Sequence, residues 1–282
     1  MKIIVTGGAG FIGTNLIKRL LTDNHRVVSL DNYSTGKKEN EQEGCRYFDV
    51  DITKVKDYSF FMDKANVIFH LAALARIQPS LQNPIETIEN NVNGTLNILE
   101  YARVNNIKVV YAGSSSFHHG LYKSPYAWSK YGGEELCKLY SEVYGLSTVI
   151  CRFYNVYGPN QLEDGDYATV LGIFEKQYRN QGDLTITGDG EQRRDFTHVD
   201  DIVRALVKCS DKTFNADIFE LGSGVNYSIN EIADMFGGEK KYIAVRRGEY
   251  DRTLCDYSKA QLKLNWKPQK NIKDYIKLII ND

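Results

Sequence analysis

Tyr126-Ala127-Trp128-Ser129-Lys130 sets a phenol and an ammonium four residues apart, so that in a helix both fall on one face, a turn from each other. A free tyrosine, with a pKa of ~10, is a poor base at neutral pH. A cation at ~4 Å in a partly screened site is worth on the order of 4 kcal/mol, equivalent to roughly three pKa units. The pair therefore has the means to take a proton from an alcohol. Such pairs are also common on exposed helices, and Tyr140 and Tyr144, with no lysine four residues on, show how ordinary helical tyrosines are in this chain. Context comes from Gly113-Ser114-Ser115-Ser116 at the end of a predicted strand, where a hydroxyl can hold a substrate oxygen beside Tyr126. Loops favour serine on their own account, so the run gains meaning only from its place in the fold.

The elements that position these residues begin at the N-terminus. Lys2 to Thr6 is an apolar run of strand length, followed by Gly7, Gly10 and Gly13 spaced as GxxGxxG, with a helix carrying Leu16, Ile17, Leu20 and Leu21 on one face. Glycine there lets the chain turn tightly, lets a pyrophosphate approach bare N–H groups and lets helix pack on strand. The next apolar run, Val27 to Leu30, ends at Asp31, about twenty residues beyond the glycine loop, where a carboxylate accepts hydrogen bonds from the adenine ribose hydroxyls. Its charge would repel a 2'-phosphate, which favours NAD over NADP.

Strands and helices then alternate. Arg46 to Val50 ends at Asp51-Ile52 and Val67 to Leu71 at Ala72-Ala73; Ile85 to Val104 has helical spacing; Lys108 to Tyr111 is a fifth strand; Tyr126 to Tyr144 is helical and Thr148 to Phe153 a further strand. This pattern predicts an α/β fold, a Rossmann doubly wound parallel sheet with ligands at the carboxyl ends of its strands. The second half differs in texture. Asn155 to Gly165 reads as a loop, Ala168 to Tyr178 as a helix, and Ile229 to Phe236 as a helix opened by a Ser228/Glu231 capping box. The expected division is a dinucleotide-binding domain over 1–154, with 195–221 returning to it, and a smaller C-terminal substrate-binding portion from 155–194 and 222–282.

Composition narrows the classes. With 282 residues, 35 basic against 36 acidic and no long like-charge block, nothing points to a nucleic-acid or anionic-membrane surface. The five cysteines are scattered without CxxC pairing, which argues against a disulfide framework or a metal site. The longest apolar stretch, around Val67 to Ala75, is interrupted by His70 and too short to cross a bilayer. A cytoplasmic location and no membrane partner are the expectations.

Taken together, the motifs resemble the extended short-chain dehydrogenase/reductases that act on nucleotide sugars, most closely the UDP-hexose 4-epimerases. The resemblance spans nearly the whole chain: TGGAGFIG at Thr6 to Gly13, Asp31-Asn32, Asp51-Ile52, HLAA at His70 to Ala73, NVNGT at Asn91 to Thr95, the serines 114 to 116 and the YxxxK at Tyr126. It continues through RFYNVYGP at Arg152 to Pro159, RRDFTHVDD at Arg193 to Asp201 and RRGE at Arg246 to Glu249. It implies NAD as cofactor, with Gly7, Gly10, Phe11, Ile12 and Gly13 on the pyrophosphate, Asp31 and Asn32 on the ribose, and Asp51 and Ile52 at the adenine edge. Leu71, Ala72, Ala73 and Asn91 would line the rest, with Lys130 on the nicotinamide ribose. Ser116 matches the catalytic hydroxyl beside Tyr126 and Lys130. Asn155, Arg194, Arg246 and Glu249 match positions that grip the UDP of a UDP-sugar, where two separated arginines suit a diphosphate. A homodimer is the family habit.

The implied reaction is transient oxidation at C4, interconverting UDP-glucose with UDP-galactose. Related dehydratases carry an Asp-Glu pair after the catalytic hydroxyl and decarboxylases a Glu two positions beyond it; here Phe117 and His118 stand there. That disfavours those reactions, with His118 and His119 left as bases of undecided role. A non-catalytic NAD-binding regulator is the reading from another class, against which stand the intact Tyr126, Lys130 and Ser116. Three departures from the resemblance stand out. Only nine residues separate Ser116 from Tyr126, and Arg76 replaces a small residue. Thr253 falls where bulk limits room beside the sugar's C2 substituent, which implies tolerance of the pair UDP-GlcNAc/UDP-GalNAc.

Overall fold

The computed structural model describes residues 1–58, 60–61 and 64–281. The apolar runs form strands β1 (Lys2–Thr6), β2 (Arg26–Asp31), β3 (Arg46–Asp49), β4 (Val67–His70), β5 (Lys108–Ser114) and β6 (Thr148–Phe153). The second half supplies β7 (Val156–Tyr157), β8 (Leu184–Thr187), β9 (Arg193–Asp195), β10 (Thr197–His198), β11 (Asn215–Leu221), β12 (Asn226–Ser228) and β13 (Lys240–Ile243). Seven of these make one sheet in the order β11-β6-β5-β4-β1-β2-β3, and every pairing in it is parallel. The direction of winding reverses between β1 and β4, which opens a crevice at the carboxyl ends of those strands.

Helices cover both faces, which is why the strands read as unbroken apolar runs rather than alternating ones. The chain-order helices are α1 (Phe11–Thr22), α2 (Ile77–Gln82), α3 (Pro84–Ile88), α4 (Gly94–Asn105), α5 (Pro125–Tyr144), α6 (Val170–Arg179), α7 (Val199–Ser210), α8 (Ile229–Phe236), α9 (Ser258–Leu264) and α10 (Ile272–Asn281). Leu16 and Leu20 of α1 pack with Ile202 and Leu206 of α7 on one face of the sheet. Ile98 and Leu99 of α4 pack with Cys137 and Tyr140 of α5 on the other. A third core, around Phe174, Ile186, Ile232, Phe236 and Ile276, holds α6, α8 and α10 against β8.

The predicted strands and long helices lie where the periodicity places them, and the capping box is formed: the Ser228 hydroxyl accepts from Glu231 N at 3.0 Å while the Glu231 carboxylate accepts from Ser228 N at 2.7 Å. Four features differ from the sequence reading, one of them the short strand β7 inside the expected loop Asn155 to Gly165. The helical stretch 85–104 is interrupted by a π-helical turn over Glu89–Asn93, and α2 was not foreseen. The segment with α9 and Trp266 packs into the first core beneath the sheet, with Trp266 Nε1 donating to Asp201 O at 2.9 Å; it does not join the third core with the rest of the expected substrate portion. Asp282, the last residue of that range, lies outside the described residues.

Candidate active site

A cavity of about 770 Å³ opens at the carboxyl ends of the central strands. Of the residues expected to bind or react, all but Asp51 and Asn91 stand on its wall. At one end is the glycine cradle. A Cβ on Gly13 would come within 2.1 Å of Gly7 O, and one on Gly7, whose φ is +72°, within 2.8 Å of Ala72 N. Only glycine lets β1, α1 and the loop after β4 approach so closely. α1 is capped by Gly10 without any side-chain bond, and its first turn has no acidic residue. The N–H groups there are left for an anion.

Asp31 ends β2 on the same wall, its two oxygens held by Ala9 N at 2.9 Å and Tyr33 N at 2.8 Å. Burial pushes its carboxyl up, and those two backbone bonds pull it back. Each oxygen keeps a lone pair for a ribose hydroxyl. A pyrophosphate over bare amides with a carboxylate beyond suits NAD, and these residues fit it.

Two residues stand off the wall. Asp51 is spent locally: one oxygen accepts from Thr53 N at 2.9 Å and Thr53 Oγ1 at 2.7 Å, and the other pairs with Lys54 at 3.0 Å. Asn91 lies one layer behind, where its carbonyl accepts from Leu74 N at 2.8 Å and its amide donates to Leu74 O at 3.0 Å and Ser129 Oγ at 2.9 Å. It clamps the loop 71–76, which does line the cavity, to α5. Asn91 is carried on a π turn, in keeping with the habit of such turns to mark functional places.

At the other end, the Ser124 hydroxyl caps α5 by accepting from Ala127 N at 3.1 Å and presents Tyr126 and Lys130 from the first turns. The Tyr126 phenol donates to Ser114 Oγ at 3.1 Å. Ser116 Oγ is buried, as is the Tyr250 hydroxyl, and neither reaches hydrogen-bond geometry with another protein atom. They are nonetheless near: the Ser116 hydroxyl draws the Tyr250 phenol down against the burial that pushes it up. Buried hydroxyls left without partners on a cavity wall are placed to meet a ligand. The sequence offered the run Ser114 to Ser116 and the resemblance singled out Ser116; Ser114, the last residue of β5, is the one that meets the phenol.

The Lys130 ammonium lies 4.3 Å from the centre of the Tyr111 ring, and a second cation, Arg76, bears on the Tyr126 phenol. Burial raises the phenol above its ordinary value, while the Ser114 bond and Arg76 lower it. Burial also pushes Lys130 down to about 8, against the charge of Glu134.

The short loop after Ser116 is pinned behind the wall. Arg152 lies 3.6 Å from the centre of the Phe117 ring and pairs with Glu134 at 2.6 Å and Glu220 at 2.9 Å. Glu220 in turn holds His118 Nε2 at 2.8 Å. His119 stacks on Tyr250 with centroids 4.8 Å apart, and burial, followed by the charges of His118, Arg194 and Lys123, takes it down to about 4. Neither histidine lines the cavity; His118 is tied to Glu220, and His119 Nε2 is buried without a hydrogen-bond partner.

On the substrate side, Arg194 pairs with Glu249 at 3.2 Å and Arg246 is exposed at the rim. Asn155 donates to Asp195 O at 3.0 Å and Thr253 Oγ1 at 3.2 Å. Thr253 is itself buried, accepting from Asp195 N at 2.9 Å, and does not line the cavity. It therefore sets no room beside a sugar, and the tolerance of N-acetyl groups expected from it has no basis. Tyr250 occupies the wall instead, directly after the RRGE motif.

Among the described residues, no three His, Cys, Asp or Glu side chains cluster to hold a metal, and no helix is long and apolar enough to cross a membrane.

Residues 3–222 match the model of the NAD dependent epimerase/dehydratase family. A UDP-glucose 4-epimerase of Mycolicibacterium smegmatis is 33% identical over 295 residues, covering 95% of this chain and 94% of that protein. Among solved structures, the UDP-glucose 4-epimerase of Thermotoga maritima with UDP-glucose superposes with a TM-score of 0.94 at 30% identity, covering 100% of this chain and 98% of the other. The UDP-glucuronic acid 4-epimerase of Bacillus cereus, with UDP-glucuronic acid and NAD bound, superposes with a TM-score of 0.91 at 29% identity, covering 100% and 98%.

Proposed function

The chain belongs to the NAD-dependent epimerase/dehydratase family of nucleotide-sugar-modifying short-chain dehydrogenase/reductases, and from that premise we propose that it is a 4-epimerase of UDP-hexoses. The observation that carries this reading is the single acid/base corner of the cavity. Tyr126 stands there with Ser114 and Ser116, and the residues after Ser116, Phe117 and His118, are turned away to Arg152 and Glu220. Dehydration or a second epimerisation needs a further proton carrier at that place. Inversion at C4 needs one group used twice.

NAD, when bound, supplies a two-electron acceptor that is restored at the end of each cycle. Tyr126 takes the proton of the C4 hydroxyl, whose oxygen Ser114 and Ser116 orient. The sugar becomes a 4-ketone, turns about its diphosphate while Arg194 and Arg246 keep hold, and receives its proton back on O4 from Tyr126. Gly7, Gly10, Phe11, Ile12 and Gly13 are assigned to the pyrophosphate, Asp31, Asn32 and Ile52 to the adenosine, and Leu71, Ala72, Ala73 and Lys130 to the nicotinamide half. Asn91 positions that wall, and Asn155 and Glu249 complete the UDP end. The substrate portion is taken as 155–194 and 222–282, within which 258–266 packs beneath the sheet. Leu96 on α4 and Trp128 on α5, both exposed, supply an apolar face for a homodimer.

Proton NMR of the protein incubated with UDP-hexose tests the reading: exchange of gluco and galacto isomers without net NADH is expected. A 4-keto-6-deoxy product or released carbon dioxide would reject it. Tyr126→Phe should lower turnover by at least about 10²-fold while NAD still binds, whereas a variant that keeps its rate removes Tyr126 from the chemistry.

A further inference from the structure

Arg76 is the one basic group of the cavity wall to which the proposed reaction assigns no ligand. It caps α2 and lines the cavity. Its Nε donates to Tyr167 O at 3.0 Å and its Nη1 to Ala75 O at 2.9 Å. Both acceptors are neutral carbonyls, and among the described residues no carboxylate stands within 4.0 Å of the guanidinium. The other basic groups of the wall are accounted for: Arg194 has Glu249, Arg246 stands at the open rim, and Lys130 lies over Tyr111. A half-buried cation on a cavity wall with no counter-charge beside it is placed to pair with an anion that enters the cavity.

The surroundings place that something at the hexose. α2 packs on α5, whose first turn carries Tyr126. The turn after Arg76 touches the substrate loop, with Gln78 Nε2 donating to Arg247 O at 2.7 Å. At Gly248 that loop comes so close to Ile77 and Lys123 that an added Cβ would lie 3.0 Å from Ile77 Cγ2 and 3.4 Å from Lys123 O. Arg76 thus stands between the end of the helix that carries the reactive phenol and the loop that ends in Glu249 and Tyr250. The mutual influence of Arg76 and Tyr126 on each other's proton affinity agrees with that placement.

We infer that Arg76 is the receptor for a carboxylate on the hexose, so that the nucleotide sugar this chain selects is a UDP-hexuronic acid. A planar guanidinium with two N–H groups fixed on carbonyls keeps its remaining donors in a set direction, the arrangement suited to a carboxylate. The carboxylate makes and breaks no bond; oxidation and return at C4 balance as before. The inference rests on the nucleotide-sugar reading of the cavity and specifies its substrate class.

The NAD-loaded protein is titrated calorimetrically with UDP-glucuronic acid, UDP-glucose and UDP, and both sugars are then assayed for turnover. UDP-glucose carries the same diphosphate, so the ratio between the two sugars isolates the carboxylate. UDP-glucuronic acid is expected to bind at least about tenfold more tightly than UDP-glucose. In Arg76→Gln the ratio of kcat/KM, UDP-glucuronic acid over UDP-glucose, should fall about 100-fold, and in Arg76→Lys by less. Equal affinities in the wild type overturn the inference. So does a Gln variant in which both sugars lose in proportion, since Arg76 then serves the diphosphate or the loop at Tyr167. Should the Gln variant not fold, the wild-type affinity ratio and the Lys variant decide. Absence of C4 exchange with either sugar defeats the epimerase reading, and the binding ratio then decides the role of Arg76 independently.

Discussion

Replacing Lys130 with methionine should abolish turnover and make the protein more stable. Lys130 is 5% exposed, and burial takes its ammonium from the ordinary 10.5 down to about 8. At about 1.4 kcal/mol for each pKa unit, keeping that charge inside the fold costs about 3 kcal/mol. Methionine has nearly the same length, fills the space over Tyr111 and carries no charge to desolvate. The sign follows from proton binding: between the folded and unfolded values the unfolded chain holds more protons, so wild-type stability climbs with pH across that window. The advantage of Lys130→Met is therefore full below pH 8 and closes as pH rises toward 10.5. At pH 7 the gain corresponds to a melting temperature higher by roughly 5 °C. Thermal unfolding of coenzyme-free protein at a series of pH values between 7 and 10.5 measures it, so that no lost contact to NAD enters. A variant less stable than wild type at pH 7, or a difference that does not change with pH, would refute the reasoning.

Asp31→Asn removes the charge that excludes a 2'-phosphate, and the preference for NAD over NADP should fall about tenfold or more, read from the two binding constants by fluorescence titration. Asn91→Ala leaves Leu74 N, Leu74 O and Ser129 Oγ without their partner. The expected cost is about 1–3 kcal/mol of stability together with weaker NAD binding, since the wall it clamps is loosened. Chemical denaturation and NAD titration should therefore shift together, and a change in stability alone would show that Asn91 does not position the wall.

The dinucleotide-binding half was legible because its signals are local. Parallel strands buried on both faces leave unbroken apolar runs, and a glycine at Gly7 or Gly13 marks a close approach wherever the chain goes next. What escaped was decided by partners far away in sequence. The π turn at Glu89–Asn93 carries Asn91, which bonds to Leu74 in a separate loop, and the apolar spacing of 85–104 does not announce it. The position of α9 depends on Trp266 reaching Asp201 O, a contact across sixty-five residues. In the site, the choice between Ser114 and Ser116 is a matter of where β5 ends relative to α5, which periodicity does not resolve. Arg76 stood out as a departure from a small residue, yet that no carboxylate among the described residues pairs with it needed coordinates. Thr253 misled because position after a motif was read as position on the wall, whereas the turn at Tyr250 sends Thr253 behind it.

A single phenol that must both take and return a proton cannot be tuned strongly in either direction. Were Tyr126 held well below its ordinary value, its phenolate would take the C4 proton with difficulty and surrender it readily; held far above, the reverse. The surroundings pull both ways: burial raises it, while the hydrogen bond with Ser114 and the charge of Arg76 lower it. Burial acts on Lys130 in the opposite sense, so the wall that makes the phenol reluctant to ionise also weakens the nearest ammonium's hold on its own proton. The site thus keeps both groups away from a permanently separated ion pair, as the proposed epimerisation, run in both directions, would require. Removing one cation should therefore unbalance forward and reverse steps through the same group. That also explains why no second acid is needed beside Ser116, where Phe117 and His118 are free to serve the fold.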